Sequence, residues 1–304
     1  MGFVTIMNSV FVILLMIMIG YICKKLGYMN KEVTRGVTEI LLNIAIPAIA
    51  ISSFNQDLPA SALSNAIILF IFAVVSYVAS ILLGAFLFKK YPPDQKVVMR
   101  FILVFTNCGF MGYPVMESIF GSIGIFYASI YCVVFNLFLW TYGFMLFTGV
   151  SDRQTLKKAL VNPGTLATVF GLVLLLTPLE LPTFAAKLVT TVGGLTTPLA
   201  MIVIGAMLAE VKFSEMFQGI HVYYGAFLRL LVLPAAAYLV LKLLHVDQLT
   251  LAACVMLTAM PPASNTVIFA EKFERDSLLA SKIVVLSTGL SIITIPLFAM
   301  LVFH

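Results

Sequence analysis

Ten apolar runs follow one another along this 304-residue chain, and the short segments between them hold nearly all of its charge. The runs are expected at 3–23, 36–54, 62–88, 97–116, 122–148, 162–178, 189–209, 219–243, 249–270 and 279–302. Each is near the ~20 residues an α-helix needs to cross the hydrocarbon layer of a bilayer. In that medium every backbone N–H and C=O must be satisfied inside the protein, so runs of this length span as helices. The expected fold is therefore all-α and polytopic, with ten transmembrane helices. Composition agrees, since 62% of the residues are hydrophobic and only 10% are charged, against roughly 25% charged in a soluble domain. The first run lacks a basic start and a small-residue cleavage site, and reads as a retained helix rather than a leader.

The basic residues orient the chain. Fifteen of the 18 lysines and arginines fall at the odd-numbered connections: Lys24, Lys25, Lys31 and Arg35; Lys89, Lys90, Lys96 and Arg100; Arg153, Lys157 and Lys158; Lys212; and Lys272, Arg275 and Lys282. The even connections hold only Lys187 and Lys242. An excess of Lys and Arg marks the cytoplasmic side, so both termini are expected outside a cytoplasmic membrane. The net charge of +5 follows from topology and calls for no nucleic-acid partner. The longest charged break, the cytoplasmic linker 150–161, divides the chain into five-helix repeats at 1–149 and 162–304. An odd number per repeat turns the second upside down relative to the first, the inverted-repeat plan of many secondary transporters.

Polar and helix-breaking residues recur at corresponding places in the two repeats. Segment 4 reads Thr106-Asn107-Cys108-Gly109-Phe110-Met111-Gly112-Tyr113-Pro114, and segment 9 reads Met260-Pro261-Pro262-Ala263-Ser264-Asn265-Thr266. Segments 2 and 7 carry Asn43 before Pro47, and Thr196-Thr197-Pro198. Proline removes a backbone donor and crowds the preceding turn, and glycine weakens a helix further. One reading makes these ordinary kinks in packed helices. The other opens segments 4 and 9 near the membrane midplane, where N-terminal half-helix ends present free N–H groups and partial positive charge to an anion. Asn107, Ser264 and Asn265 would add side-chain donors, with Gly109 and Tyr113 beside them. Gly112, Pro114, Pro261, Pro262, Pro47 and Pro198 would mark the breaks. Asn43 faces the same cavity as Pro47 or makes an interhelical hydrogen bond, as does Asn136.

Arg229 is the one basic residue well inside a run. It is either a functional or structural intramembrane charge or a long side chain that reaches back to the cytoplasmic surface. Glu117, Glu210 and Glu271 fall at run ends and read as solvated. Cys23, Cys108, Cys132 and Cys254 form no C-x-x-C pair and read as small buried hydrophobes. There is no paired acid at a run centre, no zinc-protease or nucleophile-elbow motif and no nucleotide loop. No enzyme activity, cofactor or metal is expected.

The spacing Asn107-x-x-x-x-Gly112-x-Pro114, with Pro261 and Phe269-Ala270-Glu271-Lys272-Phe273, resembles the auxin efflux carrier family, which includes plant auxin exporters and bacterial organic-acid permeases. The resemblance covers the whole chain. It implies a fold like that of sodium–proton antiporters and bile-acid symporters, with broken helices 4 and 9 crossing. It implies a scaffold domain from helices 1, 2, 6 and 7, through which a homodimer would form, and a transport domain from helices 3–5 and 8–10. Asn107 would then contact substrate, and Pro114 and Pro261 would lie at the crossover. The long central loop of many plant members is absent, which suits a bacterial-type member. The expectation is an elevator-type carrier of small organic anions, auxin-like or malate- or malonate-like. A sodium- or proton-coupled symporter of another solute, such as a bile acid, is the alternative, ahead of a non-transporting receptor or enzyme.

Overall fold

The computed structural model describes residues 3–55, 61–149, 161–177, 179–210 and 219–303. Lys212 and most of the linker 150–161, with Arg153, Lys157 and Lys158, lie outside the described residues. The described residues form helices α1 (Phe3–Lys25), α2 (Lys31–Phe54), α3 (Ala62–Leu87), α4 (Pro93–Val104), α5 (Tyr113–Phe120), α6 (Ser122–Thr148), α7 (Pro163–Leu176), α8 (Thr183–Gly193), α9 (Thr196–Glu210), α10 (Ile220–Leu243), α11 (Gln248–Thr258), α12 (Asn265–Lys272) and α13 (Ser277–Phe303). Among them α2, α3, α6, α10, α13 and the run Thr183–Ala209, which joins α8 to most of α9, are long and apolar enough to cross a membrane.

Several ends differ from the sequence reading for local reasons. α2 begins at Lys31 rather than 36 because the Asn30 side chain accepts from Val33 N at 2.8 Å and caps the helix. Segment 4 is longer than expected and broken, running from Pro93 to Phe120 with non-helical residues between Val104 and Cys108. Segment 9 is likewise split into α11 and α12.

The chain divides into two compact units. The first comprises Met1–Ile67, Gly109–Val133 and Leu160–Glu210. Its main contact is α1 against α9, and glycine makes it close: a Cβ at Gly20 would lie 2.1 Å from Ile202 O, and one at Gly205 1.9 Å from Ile17 O. Without a hydrophobic drive between helices in lipid, such small residues let backbones touch and gain dispersion contacts. The end of α2 packs on α7 and α8 in the same way. Gly171 receives the Phe54 ring and Gly193 meets the Ile49 backbone, while Phe54 also sets its ring edge-on to Phe126 at 5.0 Å.

The second unit comprises Ile68–Cys108, Val134–Ala159 and Val211–His304. At its centre lies α11, buried from Thr250 to Thr258. Around it, Phe101, Phe105, Phe147, Phe269 and Phe273 form a chain of ring contacts. Gly143 gives the Phe105 ring room to approach α6. On α3 the side chains of Ile71, Val75, Leu82 and Phe86 stand exposed along one face, Phe86 at 79%. A continuous apolar face of this kind is what lipid, not water, solvates.

Candidate functional site

The two broken segments meet inside the second unit. Beyond α4 the chain is extended from Phe105, and beyond α11 it is non-helical through Ala263. Thr106 and Pro262 pair as an isolated antiparallel bridge. Two backbone bonds hold it: Asn107 N donates to Pro261 O at 2.8 Å, and Ala263 N donates to Phe105 O at 3.0 Å. The sequence permits this because the bridge uses only the carbonyl of Pro261 and the N–H of Ala263. Neither proline is asked for the donor it lacks. The crossing therefore satisfies, within protein, four main-chain groups that unwinding had freed at membrane depth.

Helix ends remain to be neutralised, and Arg229 does this. The residue sits in a π-helical turn of α10, Leu228–Val232, and is 1% exposed. Its guanidinium donates to Leu103 O at 3.1 Å, Thr258 O at 2.8 Å and Met260 O at 3.2 Å. Those carbonyls lie at the C-terminal ends of α4 and α11, where the helix dipole is negative. A planar fork of donors suits several acceptors held side by side. Arg229 does not reach back to the surface. It is a buried charge that ties both half-helices together.

Asn107, Ser264 and Asn265 stand next to the bridge in sequence. Asn107 is 4% exposed, and its Nδ2 faces Ser264 Oγ at 3.5 Å, the outer limit of a hydrogen bond. Ser264 and Asn265 are half-buried at the start of α12. The Ser264 side chain makes no capping bond to that helix, and Thr266 Oγ1 turns back to Ala263 O at 2.6 Å. Thr106 Oγ1 is buried with no hydrogen-bond partner.

The structure thus brings together Asn107, Ser264, Asn265, Pro261, Pro262 and Arg229. Other expected residues lie elsewhere. Gly109 and Gly112 fall in a π-helical turn, Cys108–Gly112, and Pro114 stands in the first turn of α5, beyond the extended residues. Tyr113 belongs to the first unit, where its hydroxyl donates to Ser129 Oγ at 3.2 Å. Asn43 is exposed and donates to Glu39 O one turn back at 3.0 Å. Pro47 follows another π-turn, Leu41–Ala45, and Pro198 lies exposed near the start of α9. Glu271 is exposed as expected, but Glu117 is half-buried and accepts from Thr197 Oγ1. A groove of about 540 Å³ opens at the end of α3, lined by Tyr91, His221 and Tyr224 among others, and it holds no cationic or acidic side chain.

The sequence matches the family described as membrane transport protein over residues 5–158 and 148–299. The chain belongs to the membrane transport protein family. This is the auxin efflux carrier family that the Asn107-to-Pro114 spacing resembles. Relatives run almost end to end with it. A protein named an uncharacterized transporter from Methanocaldococcus jannaschii is 26% identical, covering 96% of this chain and 97% of its own length. One of the same description from Methanothermobacter thermautotrophicus is also 26% identical over 96% and 97%. The uncharacterized transporter YfdV of Escherichia coli is 24% identical over 86% of each. Membership in the membrane transport protein family and the exposed apolar helices make this chain a multi-pass membrane transporter.

Proposed function

We propose that the protein is a secondary carrier of small organic anions, with the carboxylate held at the crossing of segments 4 and 9. The observation that carries this reading is the crossing itself, which gathers Asn107, Ser264 and Asn265 at the start of α12 and the buried Arg229 guanidinium. A helix N-terminus favours an anion by about 0.3–1 kcal/mol, and by up to ~2 kcal/mol when partly buried. An amide donor to a charged group contributes roughly 1.5–3 kcal/mol more. The apolar walls around the crossing suit a monocarboxylate or a short dicarboxylate such as malonate or malate.

The larger plan is proposed with it. Ten helices would cross the cytoplasmic membrane as two inverted repeats, with both termini outside. Segments 1, 2, 6 and 7, which fall in the first compact unit, would form the scaffold and pair two copies of the chain. Segments 3–5 and 8–10 would carry the anion across as an elevator. Most of segments 3 and 8–10 fall in the second unit, whereas Gly109–Val133 of segments 4 and 5 falls in the first.

The test is ligand-dependent stabilisation of purified protein by malonate, malate and indole-3-acetate. A ligand at 100 times its dissociation constant stabilises by about 2.7 kcal/mol. Asn107→Ala is expected to weaken that ligand about tenfold or more and to abolish its flux in proteoliposomes, with unfolding in its absence unchanged. Full affinity and flux in the variant would remove Asn107 from the site.

A further inference from the structure

Opening two helices at one place exposes two kinds of helix end, and only one kind suits an anion. At the C-terminal ends of α4 and α11 the last carbonyls have no partner within their own helix, and the dipole is negative. In transporters built on discontinuous helices, such ends and the unwound carbonyls beside them bind a coupling sodium ion. The fold that this chain resembles, that of sodium–proton antiporters and bile-acid symporters, implies an ion at this place.

The residues present do not fit such an ion. Five carbonyls at the crossing already accept from protein donors: Leu103 O, Thr258 O and Met260 O from Arg229, Phe105 O from Ala263 N, and Pro261 O from Asn107 N. Arg229 and Asn107 thus bond to consecutive carbonyls, those of Met260 and Pro261. A sodium ion would share these oxygens with a guanidinium that is 1% exposed, and like charges repel strongly with little water between them. No carboxylate is supplied either. The sequences of α3, α6, α10, α11 and α13 hold no aspartate or glutamate. In α4 the one acid is Asp94 in the first turn, exposed and paired with Arg275 at 2.8 Å. In α12 it is Glu271, exposed near the end. The guanidinium, by contrast, is held by what a buried cation needs, since each of its three nitrogens donates to a carbonyl. Arginine does not give up its proton in a protein.

We infer that the Arg229 guanidinium is the resident cation of this carrier. It holds, by covalent attachment, the place that a coupling sodium ion takes in transporters of this plan, and anion exchange therefore proceeds without sodium. The transport half of this inference rests on the anion-carrier reading above. A cation that neither dissociates nor deprotonates keeps both half-helix ends neutralised throughout the cycle.

The experiment reads thermal unfolding in detergent and flux in phosphatidylethanolamine–phosphatidylglycerol vesicles, each with millimolar choline, sodium or methylguanidinium chloride at equal ionic strength. The wild type is expected to unfold at the same temperature in all three. Arg229→Ala leaves three carbonyls without their donor around a vacated space. Its unfolding midpoint is expected to fall in choline and to rise again with methylguanidinium, and less with sodium, by mass action. Arg229→Met fills that space without a charge and is expected to respond to neither. Wild-type exchange of labelled malonate, malate or indole-3-acetate is expected to be equal in sodium and choline. Exchange by Arg229→Ala in choline is expected to be lower by at least about tenfold and to be restored in part by methylguanidinium. Sodium stabilising the wild type over choline, or speeding its exchange by about tenfold or more, overturns this proposal alone. So does an Arg229→Ala midpoint that ignores both cations, or an Arg229→Met midpoint that follows them equally. If Arg229→Ala does not fold in choline, it is prepared in methylguanidinium, and an equal loss of folded protein there overturns the proposal. Absence of wild-type exchange in every salt overturns the anion-carrier reading, and the unfolding comparisons then decide the resident cation by themselves.

Discussion

At the scale of single residues, one arginine and one asparagine bond within the crossing. Arg229 serves carbonyls from two half-helices, and each buried group left unpaired costs about 1–3 kcal/mol. Arg229→Met is therefore expected to lower stability by at least about 2 kcal/mol, read as thermal unfolding in detergent. Arg229→Lys is expected to recover only part of this, because one ammonium cannot span three acceptors as a planar fork does. Equal stability of all three proteins would show the contacts to be incidental. The sequence singles out Arg229 as the one basic residue inside a run. Its purpose is not legible there, because its acceptors, Leu103, Thr258 and Met260, meet it only after three segments have packed. Glu117 was hidden for a similar reason: its place in segment 4 suggests a solvated end, and only folding brings it to Thr197.

At the scale of elements, prolines and glycines act at a distance from where the sequence puts them. Pro47, Pro114 and Pro234 each follow a π-helical turn that ends two residues earlier: Leu41–Ala45, Cys108–Gly112 and Leu228–Val232. The wider turn re-pairs carbonyls that proline cannot serve. The helix breaks were thus legible, but not their location. The bridge forms at Phe105–Asn107, before the Gly-rich stretch, because the partner strand there accepts and donates at the right positions. Pro114→Ala restores a donor to α5 and lets the π-turn tighten. Slower turnover at unchanged expression is expected, measured as flux per reconstituted carrier. Glycine at helix contacts gives a sharper comparison. Gly205→Val places atoms into the Ile17 backbone and is expected to cost several kcal/mol or abolish folding, read as loss of a monodisperse species. Gly289→Ala, where nothing lies within 4 Å, is expected to be neutral or stabilising by up to about 1 kcal/mol.

At the scale of the whole molecule, the places of the helical runs were legible, since a bilayer permits few alternatives, but several of their ends were not. Helices extend beyond the apolar runs where caps such as Asn30 begin them. The grouping of segments into two units was not readable from composition, because it depends on which glycines meet which backbones. Orientation is testable directly. Single cysteines at Lys90 and Lys187, in a background without the four native cysteines, are expected to differ with an impermeant maleimide added to cells. The Lys187 position reacts and the Lys90 position does not. The reverse pattern would invert the topology drawn from the basic residues.

The Arg229 clasp also bears on biogenesis. Leu103 leaves the ribosome 126 residues before the side chain that will serve its carbonyl. The nascent chain must therefore carry the exposed end of α4 through insertion until α10 and α11 are made. A chain that stops short of Arg229 never receives that donor, so the end of α4 is completed only after α10 has been made.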